Sequence, residues 1–159
     1  MRSYFHLMRL DKPIGIFLLL WPTLWALLIA SHGHPSIQHL TIFILGTVLM
    51  RSAGCVANDI LDRKFDSFVT RTKLRPLANQ SISVKNAFFL LITLLLGALI
   101  CVLFLNEQSF YFSLIALFLA LTYPLTKRFF VMPQAYLGLS FGIEFTSFFK
   151  FIAQKLVLK

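Results

Sequence analysis

Apolar residues gather in four long blocks separated by short polar gaps: Ile14 to Ser31, Leu40 to Asn58, Ala87 to Leu105 and Phe110 to Thr126, each 17 to 19 residues long. About 20 apolar residues in a helix cross a hydrocarbon core, so each block is near spanning length. The pattern predicts an all-α fold, a polytopic transmembrane bundle of four to five helices. Pro22 falls mid-span in the first block, which is tolerable where neighbouring helices satisfy the freed carbonyl. A fifth apolar segment begins near Phe129 but meets Glu144, and the tail beyond it carries Lys150, Lys155 and Lys159.

Counting Lys and Arg in the successive polar gaps gives three, none, six, none and two. Loops rich in these residues stay on the cytoplasmic side. The alternation predicts a multi-pass protein of the bacterial inner (plasma) membrane with a cytoplasmic N-terminus and a cytoplasmic loop after the second block. A fifth crossing would leave three lysines outside, against this order. No cleavable signal is expected before the first block, because the polar start lacks a small-residue cleavage site.

The net charge of +9 is accounted for by these gaps, so nucleic acid is excluded as a partner. With 58% hydrophobic and only 13% charged residues, the chain departs from the soluble average of about 25% charged. Cys55 and Cys101 lie inside apolar blocks and read as small buried hydrophobes. His32, His34 and His39 share one connection without a partnering carboxylate or thiol and read as loop residues.

The chemistry concentrates between Met50 and Leu77. At about 100° per residue, Arg51, Asn58, Asp59, Asp62 and Asp66 fall within an arc of roughly 100° on one helix face. Aligned carboxylates repel one another, and charges at a membrane edge are costly, so the alignment calls for a compensating cation. Mg²⁺ is usually held by one or two carboxylates together with phosphate oxygens, and Asn58, Asp59, Asp62 and Asp66 are the candidate ligands. Arg51 is expected to pair with Asp62 or Asn58, or to meet an anionic ligand. Arg71 and Arg75, with Lys73 between them, can close over a phosphate.

The pattern Asn58-Asp59-x-x-Asp62-x-x-x-Asp66, followed by Arg71-Thr-Lys-x-Arg75-Pro76-Leu77, resembles the first Asp-rich motif of the UbiA superfamily of intramembrane prenyltransferases. The stretch from Arg9 through Asp11-Lys12-Pro13 to Gly15, the run Leu20 to Trp25, Met50-Arg51 with Gly54-Cys55, and Thr122-Tyr123-Pro124-x-x-Lys127 are similar to those of the 4-hydroxybenzoate polyprenyltransferases within it. The resemblance implies the N-terminal half of a nine-helix enzyme that moves a polyprenyl chain from polyprenyl diphosphate to an aromatic acid in ubiquinone biosynthesis. It implies that Asn58, Asp59, Asp62 and Asp66 hold Mg²⁺ and diphosphate, that Arg71 and Arg75 assist, and that Tyr123 and Lys127 form a second element near the diphosphate. The second Asp-rich motif of the superfamily has no counterpart: after Asp66 the only acids are Glu107 and Glu144. The resemblance covers residues 1–142, the N-terminal part of the bundle, and leaves 143–159 as a divergent tail; with the charge anomaly of that tail and the missing motif, an activity impaired by truncation is expected. The alternatives are a non-catalytic membrane fragment that binds polyprenyl diphosphate and a relative with another acceptor, such as haem.

Overall fold

A computed structural model describes residues 2–105 and 107–126. Five helices follow in order: α1 (Arg2–Leu7), α2 (Ile14–Ala30), α3 (Ile37–Asp66), α4 (Val84–Leu103) and α5 (Glu107–Thr126). No strand occurs among the described residues. The expected fifth apolar segment, the tail and Lys127 lie outside them.

The four apolar blocks are the four long helices, with shifted ends. Ser36 and Ser83 start α3 and α4 because each side-chain oxygen accepts a backbone N–H three residues on, from His39 at 3.3 Å and Asn86 at 3.2 Å, the usual serine N-cap. The same Ser36 hydroxyl lies 2.6 Å from His39 Nδ1, so one of the three loop histidines belongs to a helix start. The helix α5 begins at Glu107, three residues before the apolar block that starts at Phe110. The helix α1 lies in a segment where only polar lead-in was expected.

Every other helix touches α3. Its inner face is built of small residues, with Ser52, Ala53, Cys55, Val56 and Ala57 all buried, which lets neighbouring backbones approach closely. Ala87, Leu91, Leu94 and Ala98 are the buried stripe of α4. The main core joins Ala53, Val56 and Ala57 of α3 to Ala87, Leu91 and Leu94 of α4, to Leu7 of α1 and to Leu77 and Ile82 of the α3–α4 connection. Outward, Phe17, Leu18, Trp21 and Trp25 of α2 and Phe88, Phe89 and Leu96 of α4 are exposed.

Among the described residues, the helices long and apolar enough to cross a membrane are α3 and α4; α2, with 17 residues, is apolar but shorter. At about 1.5 Å per residue, the 30 residues of α3 reach roughly 45 Å, against a hydrocarbon core of about 30 Å. α3 is thus longer than the apolar layer is thick, and its polar C-terminal end carries the aspartates.

Candidate active site

The last turns of α3 present Asn58, Asp59, Asp62 and Asp66, and the connection to α4 folds back over them. Thr72 starts the return: it is buried, and its hydroxyl donates to the Asp66 carbonyl at 3.1 Å. Ser81 Oγ donates to the Pro76 carbonyl at 3.2 Å, and the Ser81 amide donates to Asn79 Oδ1 at 3.0 Å. Leu77 and Ile82 then bury themselves in the main core. The loop is thus pinned at both ends, and Arg75, just before the buried Pro76 and Leu77, is delivered to the acidic face.

One nitrogen of Arg75 serves two carboxylates. Its Nη1 donates to Asp59 Oδ1 at 3.1 Å and to Asp66 Oδ2 at 2.7 Å. A second guanidinium arrives from the far end of the sequence, Arg9 Nη2 donating to the same Asp59 Oδ1 at 3.1 Å. Asp59 is 2% exposed, and a carboxylate so deeply buried requires paired charge and hydrogen bonds. Asp59, Asp66, Arg9 and Arg75 form a balanced set of two acids and two bases.

The shared helix face therefore divides. Asp59 and Asp66 turn toward the protein and the arginines, whereas Asn58 and Asp62 are only half buried. Arg51 lies toward α2: a Cβ built on Gly15 would fall 2.6 Å from its Nη2 and 2.8 Å from its Nε. Gly15 leaves the space in which the guanidinium sits. Arg71 is exposed and takes no part in the cluster, which is reached by Arg75 alone of the two expected phosphate partners. Tyr123 falls in the last turn of α5.

Arg9 is the site residue that sequence reasoning missed. It entered only as a positive charge before the first block and as part of a family-like run. Nothing in local spacing joins it to an aspartate 50 positions away.

Among the described residues, no three carboxylate, imidazole or thiol groups lie close enough to hold a metal by themselves. The donor set nonetheless fits Mg²⁺ bound with phosphate, which needs one or two protein carboxylates. The arginines bond to one oxygen of each aspartate, Oδ1 of Asp59 and Oδ2 of Asp66, and the other oxygen of each is outside these bonds.

The sequence model of the UbiA prenyltransferase family matches residues 19–156. The chain belongs to this family. A 4-hydroxybenzoate octaprenyltransferase of Francisella tularensis subsp. novicida is 55% identical over 142 residues, 89% of this chain and 50% of that protein. One from Nitrosospira multiformis is 58% identical over 139 residues, 87% of this chain and 48% of that protein. This UbiA chain thus spans about half the length of the curated relatives it matches.

Among solved structures, a UbiA homologue from Archaeoglobus fulgidus bound to GPP and Mg²⁺ superposes with a TM-score of 0.75 at 23% identity, over 95% of this chain and 54% of the other. An apo UbiA homologue from Aeropyrum pernix gives 0.67 at 23% identity, over 92% and 48%. At these identities the likeness establishes the fold: the bundle is part of a UbiA fold, as the motif resemblance led us to expect. Family membership and the apolar helices together make the UbiA chain a membrane protein.

Proposed function

We propose that this chain carries the prenyl diphosphate half of a Mg²⁺-dependent aromatic prenyltransferase, taking a polyprenyl diphosphate as donor and 4-hydroxybenzoate or a related aromatic acid as acceptor. The single observation that carries the reading is the convergence of Arg75 on Asp59 and Asp66 beside Asp62 and Asn58, at the polar end of a long apolar helix. It is supported by the identity to octaprenyltransferases named for 4-hydroxybenzoate.

Asn58, Asp62 and Asp66 would hold Mg²⁺ together with diphosphate oxygens. When bound, the ion neutralises the charge that builds on the leaving diphosphate. Arg75 donates to diphosphate oxygens through the edge of its guanidinium away from the aspartates, and Arg71, on the same loop, reaches from solvent. By family resemblance Tyr123 and Lys127 would join them. Arg51, held over Gly15, pairs with the carboxylate of the aromatic acid, a bidentate partner that its planar fork matches.

As the C–O bond to diphosphate breaks, the ring carbon ortho to the hydroxyl forms the new C–C bond to the allylic carbon and the ring then loses its proton. The apolar helices exclude water, which would otherwise capture the allylic cation, and leave the isoprenoid tail open to lipid. The setting is the bacterial inner membrane with the N-terminus and the α3–α4 loop cytoplasmic.

A second reading, a membrane module that binds polyprenyl diphosphate without turnover, is favoured by the single acidic cluster among the described residues. Membranes containing the chain, supplied with polyprenyl diphosphate, 4-hydroxybenzoate and Mg²⁺, separate the two. Prenylated 4-hydroxybenzoate that disappears in Asp62→Ala supports the enzyme. Mg²⁺-dependent donor binding without product selects the binding module, and neither outcome discards both.

A further inference from the structure

The Arg9–Asp59 contact is built with some effort. The helix α1 ends with the Arg9 amide donating to the His6 carbonyl at 3.1 Å and the Leu10 amide to the Phe5 carbonyl at 3.1 Å, the paired bonds of a Schellman turn. This puts Arg9 at φ 55°, in the left-handed region where glycine is the favoured residue because any Cβ is crowded. His6 Nδ1 and Asp11 Oδ2, 3.1 Å apart, close the turn from outside, and Leu7, fully buried, anchors it to the core around Val56. A strained arginine so well fastened points to a use for its side chain.

That use follows from charge. Arg75 Nη1 is shared between Asp59 and Asp66, so one cation would face two carboxylates, one of them 2% exposed. Arg9 supplies the missing charge on the same oxygen of Asp59. With the set neutral, Asp59 can grip the Nη1 corner of Arg75, and the Nε and Nη2 edge stays outside these bonds. We propose that Asp59 and Arg9 are a positioning pair that holds the Arg75 guanidinium ready for a diphosphate, and that Asp59 is not itself a ligand of the metal. The inference rests on the function proposed above and assigns Asp59 a role different from that of Asp62.

The test uses the full chain in lipid nanodiscs, with geranyl thiolodiphosphate, which does not ionise readily, as the probe and Mg²⁺ as the titrant. Asp59→Asn and Arg9→Gln each weaken probe binding at saturating Mg²⁺ by about tenfold, the loss of one charge-assisted hydrogen bond. The half-saturating Mg²⁺ concentration stays within about twofold of wild type, whereas Asp62→Ala raises it by at least about tenfold. The double variant Asp59→Asn/Arg9→Gln, in which both charges are gone, loses no more than either single one, because the residues act as a unit. It also guards against misfolding from an unpaired buried charge, and Arg9→Lys recovers part of the loss.

A Mg²⁺ requirement raised tenfold in Asp59→Asn, or losses that add in the double variant, would overturn the pair while leaving the proposed function standing. Absence of Mg²⁺-dependent probe binding in the wild type would overturn both.

Discussion

A methyl group at Gly15 would meet the Arg51 guanidinium at 2.6 Å, and the flexible end of the arginine would yield before the backbone did. Gly15→Ala is therefore expected to change stability by less than about 0.5 kcal/mol while weakening the aromatic acid by about tenfold through a displaced carboxylate partner. Acceptor titration alongside thermal unfolding checks this; unchanged acceptor affinity would remove Arg51 from the acceptor site. Arg75→Lys tests the other cation. A lysine keeps the charge but not the planar fork, so loss of the double contact to Asp59 and Asp66 should cost about 1–2 kcal/mol in unfolding free energy and weaken diphosphate binding. The aspartates could be found in the sequence because a period of about 3.6 residues aligns them on one face. Their division could not, since Asp59 is buried where Asp62 is half buried, and tertiary packing decides that. Arg9 reaches Asp59 only because a left-handed turn aims it there, and no periodicity encodes that.

Among the elements, α1 has six residues, too short to persist as an isolated helix; packing of Leu7 into the core holds it. Leu7→Ala should cost about 2–4 kcal/mol and, by loosening the carrier of Arg9, weaken diphosphate binding as Arg9→Gln does. Full retention of binding in a destabilised Leu7→Ala chain would show that α1 has no part in the site. Ser83→Ala removes the cap of α4 and should cost about 1 kcal/mol with no effect on binding, which unfolding and probe titration together can report. The long helices were legible because their apolar runs are unbroken. Their ends were not: α3 runs from Ile37 to Asp66, beyond both limits of the apolar run at Leu40 and Asn58. Apolar count stops where the polar turns begin, whereas backbone hydrogen bonding and loop contacts carry the helix onward.

For the whole molecule, α3 is contacted by every other described helix and carries the acidic face at its C-terminal end. The sidedness rests on the alternation of Lys and Arg between gaps and can be read directly. With Cys55 and Cys101 replaced by alanine, a membrane-impermeant maleimide added outside intact spheroplasts should label His34→Cys, and label Lys73→Cys only after permeabilisation. The reverse labelling would invert the topology. The family and the half-bundle were recognisable from motif spacing, since one acidic helix face and its returning basic loop are local in sequence. The place of Arg9 in the site was not, because its partner Asp59 lies 50 positions away.

The measurement that bears most directly on the central claim is calorimetric titration of the nanodisc-embedded chain with geranyl thiolodiphosphate, with and without Mg²⁺, in wild type and Asp62→Ala. The account predicts binding that requires Mg²⁺ and is lost in the variant. Binding that ignores both the ion and the substitution would contradict it.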